Sequence, residues 1–426
     1  MTEFKSLLPS ESTNIKYAHQ NTNARFQELH LMRNPTAFLK KEYDDIVEKG
    51  FDWKLRALQG PSTPHCTIEG KSLIMLCANN YLNMSNHPKV VEAALEATRT
   101  HGAGSGSVRA IAGSMDLHFE LEEAIARFKR TESALYYQTG FAVNAGLIPQ
   151  LVGKGDAVIS DELNHGSIID GVRLSSKTDK YIYPHNDMGE LENVLKKVEK
   201  TDAPKILVIT DGVFSMDGDI AHMDKVVEIS KEYGAMTYVD DAHGEGTIGP
   251  DGRGIGAHFG IEGEIDVEMG TFSKAYGVVG GLAAGSQDLV NYAYNKSRTW
   301  LLSGSAPPAT AAACKASIEV LETEPIHVQR LWENTNYFKK EIQSLGFETG
   351  PTETPIIPVM CGESHKAKAL SDFMFENGCF ALPIVFPMVA RDKARIRCQM
   401  NAGLTREDLD VALAAFEQGG KKLGII

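Results

Sequence analysis

Residues 235–249 read AMTYVDDAHGEGTIG. The run from Met236 to Val239 has the aromatic and β-branched content of a strand, and it delivers Asp240, Asp241 and His243 to its C-terminal end. Side chains alternate along a strand, so the two aspartates point to opposite faces and one of them can meet a ligand. Taken alone, the stretch reads equally well as an Asp-rich loop that caps the turn behind it. Its neighbours decide between the two.

Upstream, residues 205–219 (KILVITDGVFSMDGD) give a second strand that ends in Asp211, with Ser215, Asp217 and Asp219 in the loop beyond it. Downstream, residues 268–281 (EMGTFSKAYGVVGG) set Lys274 between a short polar run and a glycine-rich exit. Thr271 and Ser273 add hydroxyls, while Gly277, Gly280 and Gly281 let the backbone approach something flat or anionic. A lysine amine is protonated at neutral pH and a poor nucleophile unless burial or neighbouring charge lowers its pKa. Held as a Schiff base, it anchors a carbonyl cofactor. On composition alone, a lysine in such a loop is a solvated surface residue.

Two further stretches join these. Residues 136–146 (YYQTGFAVNAG) put Thr139, Gly140 and Phe141 at a strand-to-helix turn, where free N–H groups and the helix dipole favour a phosphate. Residues 160–172 (SDELNHGSIIDGV) place His165 after a strand, either as a satisfied structural group or as a flat ring that stacks on a cofactor. A phosphate cradle, a stacking ring, an acid for a pyridinium nitrogen, a donor for a phenolic oxygen and a Schiff-base lysine together describe pyridoxal 5'-phosphate (PLP).

The order of elements predicts an α/β fold. Strand-like runs (SALYYQ, AVISDE, KYIYP, KILVITD, AMTYVDD, GGLAAGS) alternate with helical ones such as Gly189 to Glu199 and Met223 to Tyr233. That alternation specifies a largely parallel sheet covered by helices on both faces, with ligands at the carboxyl ends of the strands. Before it, CTIEG and KSLIMLCANNYL form two short strands around a Glu69-Gly70 turn, and a helix begins at Asn86-His87-Pro88. Phe38, Tyr43, Ile46 and Phe51 are spaced to form one amphipathic helical face in an N-terminal arm. The last helix runs from Arg406 to Lys421. The glycine-rich segment 101–114 (HGAGSGSVRAIAGS) follows a helix and lacks GxGxxG, so it is no dinucleotide fingerprint.

The totals exclude several classes. With 426 residues, 42% hydrophobic and 23% charged, the chain is an ordinary globular protein of two or three domains. A net charge of -13 argues against nucleic acid as the main partner. The six cysteines form no CxxC pair and read as reduced thiols of a cytoplasmic protein. Met1 to Ser10 lacks the features of a signal peptide, no segment has the run of apolar residues that a membrane span needs, and no metal-ligand motif is present.

From about Cys77 onward the chain resembles the α-oxoamine synthase family of PLP-dependent, fold-type I acyltransferases. The likeness rests on CANNYL, LNHGSIIDGVRL, TDGVFSMDGDIA, VDDAHGEG, GTFSKAYG, IIPVM and ARIRCQM. LNHGSIIDGVRL and ARIRCQMNAG look most like the glycine C-acetyltransferase branch. The resemblance implies an N-terminal arm and helix at 1–75, a large PLP-binding domain with a mainly parallel seven-stranded sheet at 76–315, and a C-terminal α+β domain at 316–426. It implies that Lys274 holds PLP and moves the Cα proton, that Asp240 pairs with the pyridine nitrogen, that His243 meets the ring oxygen and that His165 stacks on the ring. Gly140, Phe141 and Thr271, with Thr139 beside them, would hold the phosphate. Ser303 would reach the cofactor of a neighbouring subunit in a homodimer. Asn79, Ser215 and Arg397 match positions that grip the amino-acid carboxylate, where a guanidinium can make two parallel hydrogen bonds.

Two positions depart from the family pattern: NNYLN carries Asn83 where glycine is common, and Leu404 replaces a histidine. The implied reaction is a condensation of an amino acid with an acyl-coenzyme A, with glycine and acetyl-coenzyme A as the first expectation. 8-Amino-7-oxononanoate, serine palmitoyl and 5-aminolevulinate synthases remain alternatives within the family. A PLP aminotransferase or aldolase and a non-catalytic partner subunit are the alternatives outside it.

Overall fold

The computed structural model describes residues 34–49, 52 and 55–426. The chain enters its folded body through a hairpin of β1 (His65–Ile68) and β2 (Lys71–Met75). The hairpin turns at Glu69 and Gly70, whose φ values of 53° and 75° both lie in the left-handed region that a two-residue hairpin loop requires.

The central sheet contains β3 (Ser133–Tyr137), β4 (Ala157–Asp161), β5 (Asp179–Tyr183), β6 (Ile206–Asp211), β7 (Met236–Asp240), β8 (Val267–Thr271) and β9 (Gly281–Gly285). Their order is β3-β9-β8-β7-β6-β4-β5. Pairings are parallel from β8 through β5, while β9 runs antiparallel to both β8 and β3. All six expected strands are present. β8 was not among them, because VEMGT carries little strand signal; it forms by being buried throughout its length between β7 and β9.

Alternation along the strands builds a core on each face. On one face Leu135, Val158, Ile209, Tyr238 and Met269 pack with Val143, Leu147 and Ile168, which come from helices Gly140–Leu151 and Gly166–Leu174. On the other, Tyr136, Ile159, Val208 and Val239 pack with Leu121, Leu191 and Val226 from helices Asp116–Lys129, Met188–Val198 and Met223–Glu232. Covered on both faces, the parallel strands read as continuous apolar runs.

The C-terminal stretch adds β10 (Ile356–Gly362), β11 (Cys379–Phe380), β12 (Pro383–Ile384) and β13 (Ala394–Gln399). β10, β13 and β12 form an antiparallel sheet, whereas β11 runs parallel to β2 and joins the hairpin. Helix Arg406–Lys422 opens with a reciprocal cap, in which Asp408 N donates to Thr405 Oγ1 at 3.2 Å and Thr405 N donates to Asp408 Oδ2 at 2.9 Å.

The described residues up to Arg56 and those from Ala57 belong to two separate units. In the first, helix Ala37–Glu48 carries Phe38, Tyr43 and Ile46, all exposed. Phe51 and the segment Met1 to Ser10 lie outside the described residues. No helix among the described residues is long and apolar enough to cross a membrane. All six cysteines are free.

One buried charge cluster ties the second face together. Lys129, at the end of its helix, sits 2.8 Å from Glu268 Oε2, 3.3 Å from Glu245 Oε1 and 3.7 Å from Asp241 Oδ2, with every side chain at most 2% exposed. Burial opposes the lysine's charge, but the three carboxylates outweigh it and hold the ammonium above the usual lysine range. Burial, together with Glu268, pushes Glu245 up to about 7 despite Lys129. Asp241 lies well above the usual carboxylate range for the same first reason, burial.

Lys129→Met leaves three buried carboxylates without their cation, and the expected cost is about 3–5 kcal/mol in urea denaturation at pH 7. A carboxyl raised on folding is stabilising when protonated. Stability from Glu245 is therefore complete below about pH 4.5 and is lost as pH rises through about 7, a change on the order of 3 kcal/mol. Glu245→Gln is expected to flatten that slope in denaturation curves measured from pH 5 to 8.

Candidate active site

The parallel pairing sets the chemistry. β6 and β7 are in register with Asp211 opposite Asp240, and β7 and β8 with Asp240 opposite Met269. Two carboxylates therefore stand side by side at the carboxyl ends of adjacent strands, and Thr271 ends the next one. Asp240 and Asp241 point to opposite faces, as strand alternation requires: Asp240 faces helix Gly140–Leu151 and Asp241 faces Lys129.

A cavity of about 230 Å³ opens at these strand ends. It is lined by Thr139, Gly140, Phe141, His165, Asp211, Ser215, Asp240, His243, Thr271, Ser273 and Lys274, among others. A larger cavity of about 420 Å³ lies at the opposite edge of the sheet, at Met236 and Val267, and neither lysine nor histidine lines it. The smaller cavity is the one equipped for chemistry.

Lys274 follows β8 in the turn that Gly277 closes by donating its N–H to the Lys274 carbonyl at 2.9 Å. Gly277 has φ 68°, and a Cβ there would run into the backbone of Met84 and Ser85, so the turn requires glycine. Burial holds the Lys274 ammonium below the usual lysine range, with Arg397 adding to the effect and Asp240 and Asp211 opposing it. Burial also lowers His243 well below the usual histidine range, reinforced by Lys274 and Arg397. The His243 Nδ1 shares a hydrogen bond with the Tyr81 hydroxyl at 2.9 Å.

Burial, with Asp240 beside it, pushes the Asp211 carboxyl well above its usual range. Its Oδ2 accepts the His165 N–H at 3.2 Å, while Oδ1 is buried with no hydrogen-bond partner among the described residues. Asp240 Oδ1 accepts from Ala242 N at 3.1 Å and Oδ2 from Asn144 Nδ2 at 2.8 Å. At the other end of the cavity, Thr139 caps helix Gly140–Leu151 by accepting from Ala142 N at 3.1 Å. A Cβ at Gly140 would stand 2.9 Å from Met269 Cε and 3.2 Å from Thr271 Cβ, so glycine keeps that corner open. Thr271 and Ser273 hydroxyls lie 2.9 Å apart.

These features fit PLP. An amine with a depressed pKa, carboxylates at one end, and a helix N-terminus with two hydroxyls at the other match an aldehyde, a ring nitrogen and a phosphate.

Arg397 of β13 donates from Nη1 to the Ser215 carbonyl at 2.9 Å and from Nη2 to Asn79 Oδ1 at 3.4 Å, which gathers the three residues expected at a carboxylate site. Asp217 and Asp219, by contrast, turn away. Asp217 pairs with Arg395 at 2.5 Å and Asp219 with His185 Nε2 at 2.7 Å. Burial opposes the His185 charge, but its bonds to Asp161 and Asp219 raise it to about 10. Ser303 is exposed and outside the cavity lining. Asn83 has φ 58°, so it preserves the left-handed turn that glycine would make. Leu404 is 5% exposed and belongs to the core.

Sequence reasoning passed over Asn144, Ser167 and Tyr81. Asn144 was visible as an amide in the middle of the apolar run of helix Gly140–Leu151, where a buried polar group must find partners.

The chain belongs to the aminotransferase class I and II family, whose profile matches residues 71–416, and within it to the PLP-dependent α-oxoamine synthases. It is 50% identical over 391 residues to an 8-amino-7-oxononanoate synthase of Symbiobacterium thermophilum, covering 92% of this chain and 99% of that one. It is 46% identical over 389 residues to 8-amino-7-oxononanoate synthase 1 of Bacillus subtilis, with coverage of 91% here. Among solved structures, a serine palmitoyltransferase from S. paucimobilis with bound PLP is similar at TM-score 0.86 and 30% identity, over 92% of this chain and 99% of that one.

The chain is thus a PLP-dependent acyltransferase. The glycine C-acetyltransferase branch is not the one these relatives favour. The stretches that pointed to it carry His165, which lines the cavity, and Arg397, which meets Ser215 and Asn79.

Gly277→Ala is expected to cost about 1–3 kcal/mol in thermal or urea unfolding and to lower the fraction of protein purified with PLP, read from visible absorbance.

Proposed function

We propose that the chain joins alanine to the thioester of a seven-carbon dicarboxylic acid, releasing carbon dioxide and the thiol to give 8-amino-7-oxononanoate. The observation that carries this reading is identity of 46% and 50% over nearly the whole chain to synthases named for that product, against 30% to a serine palmitoyltransferase. The product's name then dictates the substrates. In a nine-carbon acid with a ketone at C7 and an amine at C8, the C7–C8 bond is the one that an amino-acid Cα makes with a thioester carbonyl. C8 and its methyl group are alanine without its carboxylate, and C1 to C7 are the acyl chain.

PLP, when bound, supplies the electron sink that makes a carbanion at Cα accessible. The residues do the rest. Lys274 anchors the cofactor aldehyde and, once displaced by the amino acid, takes the Cα proton; its lowered pKa leaves more of it as free base near neutrality. Asp240, fixed by donors from Asn144 and Ala242, would pair with the ring nitrogen. His165, in the cavity wall, would stack on the ring, and His243, kept neutral by burial and braced by Tyr81, would meet the ring oxygen.

Thr139, Gly140, Phe141 and Thr271 receive the phosphate. Arg397, Asn79 and Ser215 grip the amino-acid carboxylate and orient the bond that must break. Ser303, exposed on its own chain, serves the cofactor of a second copy in a homodimer.

Steady-state turnover tests the substrate assignment. Alanine with the heptanedioyl thioester, offered on coenzyme A and on an acyl-carrier protein, is expected to exceed glycine with acetyl-coenzyme A in kcat/KM by about 100-fold or more. Equal or better turnover of glycine with acetyl-coenzyme A, or of serine with palmitoyl-coenzyme A, would overturn it.

A further inference from the structure

One buried amide connects the two groups that flank the cofactor cavity. Asn144 is fully buried and makes three hydrogen bonds, two to β7 and one to helix Gly166–Leu174. Its Nδ2 donates to Asp240 Oδ2 and to Ser167 Oγ, both at 2.8 Å, and its Oδ1 accepts from the Tyr238 hydroxyl at 2.8 Å. Ser167 lies 2.7 Å from His165 Nδ1, which also accepts from the Ser167 N–H at 3.2 Å. The donors therefore run one way. Tyr238 donates to Asn144, Asn144 to both Asp240 and Ser167, and the Ser167 hydroxyl to His165 Nδ1, which leaves the ring proton on Nε2.

The amide cannot be replaced by its isostere without loss. A carboxylate at position 144 would have no N–H for Asp240 or Ser167 and would set a like charge beside Asp240. A buried network with one member missing is worse than none, because the groups left behind remain desolvated and unpaired. Asp240 Oδ2 would lose the donor that fixes its direction, and Ser167 would lose the bond that fixes its hydroxyl toward His165.

We propose that Asn144 is a positioning residue that aims the Asp240 carboxylate at the PLP ring nitrogen and, through Ser167, fixes the tautomer and plane of His165. This rests on the reading of Asp240 as the partner of that nitrogen.

The test uses holoenzyme and two readouts: the PLP dissociation constant, and the pH midpoint at which the visible band of bound PLP changes. Asn144→Ala and Asn144→Asp are expected to weaken PLP about tenfold or more. Both should move the midpoint in the same direction as Asp240→Asn, by a smaller amount. Ser167→Ala, which cuts only the His165 branch, should weaken PLP while moving the midpoint least.

Should Asn144→Ala fail to fold, the near-isosteric Asn144→Asp carries the test. Unchanged midpoint and affinity in the folded Asn144 variants, with both altered in Asp240→Asn, would overturn the role of Asn144. Unchanged values in Asp240→Asn itself would instead remove the reading of Asp240 on which the role depends.

Discussion

Asp211 and Asp240 stand in register at the ends of neighbouring parallel strands, facing a lysine whose charge is opposed by burial. Everything else at the site follows from how that arrangement is kept. Parallel strands bring their carboxyl ends to one edge, so residues far apart in sequence, from Thr139 to Lys274, converge without any local motif to join them. Asp240 and Asp211 favour the charged lysine, while desolvation and Arg397 outweigh them, so the proton is held more loosely than on an ordinary lysine.

The opposite face carries a second buried charge system with a different purpose. Asp241, one residue beyond Asp240, points to Lys129 together with Glu245 and Glu268, and this cluster pins β7, β8 and the helix Asp116–Lys129 to each other. Two adjacent aspartates thus serve two chemistries because a strand turns alternate side chains to opposite faces. The geometry of the site is inherited from this packing. A strand that slipped by one residue would exchange the roles of Asp240 and Asp241 and leave each in the wrong environment.

Much of this was legible in the residues. Strand runs ending in Asp211 and Asp240 declared both the sheet and the edge that matters, and Lys274 stood out by its glycine-rich exit. β8 was hidden because VEMGT has no periodicity of its own and is defined by its neighbours. Asp217 and Asp219 resembled site acids in sequence, yet tertiary partners, Arg395 and His185, claim them. No pattern could reveal those pairings, since each joins residues on different elements. Asn144 stood out as an amide in an apolar helix, but its three partners were hidden in the same way, since spacing does not reveal them. The choice of substrates was least legible of all, because the stretches that looked diagnostic supply His165 to the cavity and Arg397 to its contacts with Ser215 and Asn79, and neither contact names an acyl chain.

The account turns on Lys274 as the residue that carries the cofactor. Borohydride reduction of the holoenzyme, followed by proteolysis and mass spectrometry, locates the reduced pyridoxyl group directly. A single modified peptide containing Lys274, with loss of the visible band and of activity in step, is the expected result. A pyridoxyl group on another lysine, or none after reduction of a coloured and active preparation, would contradict it.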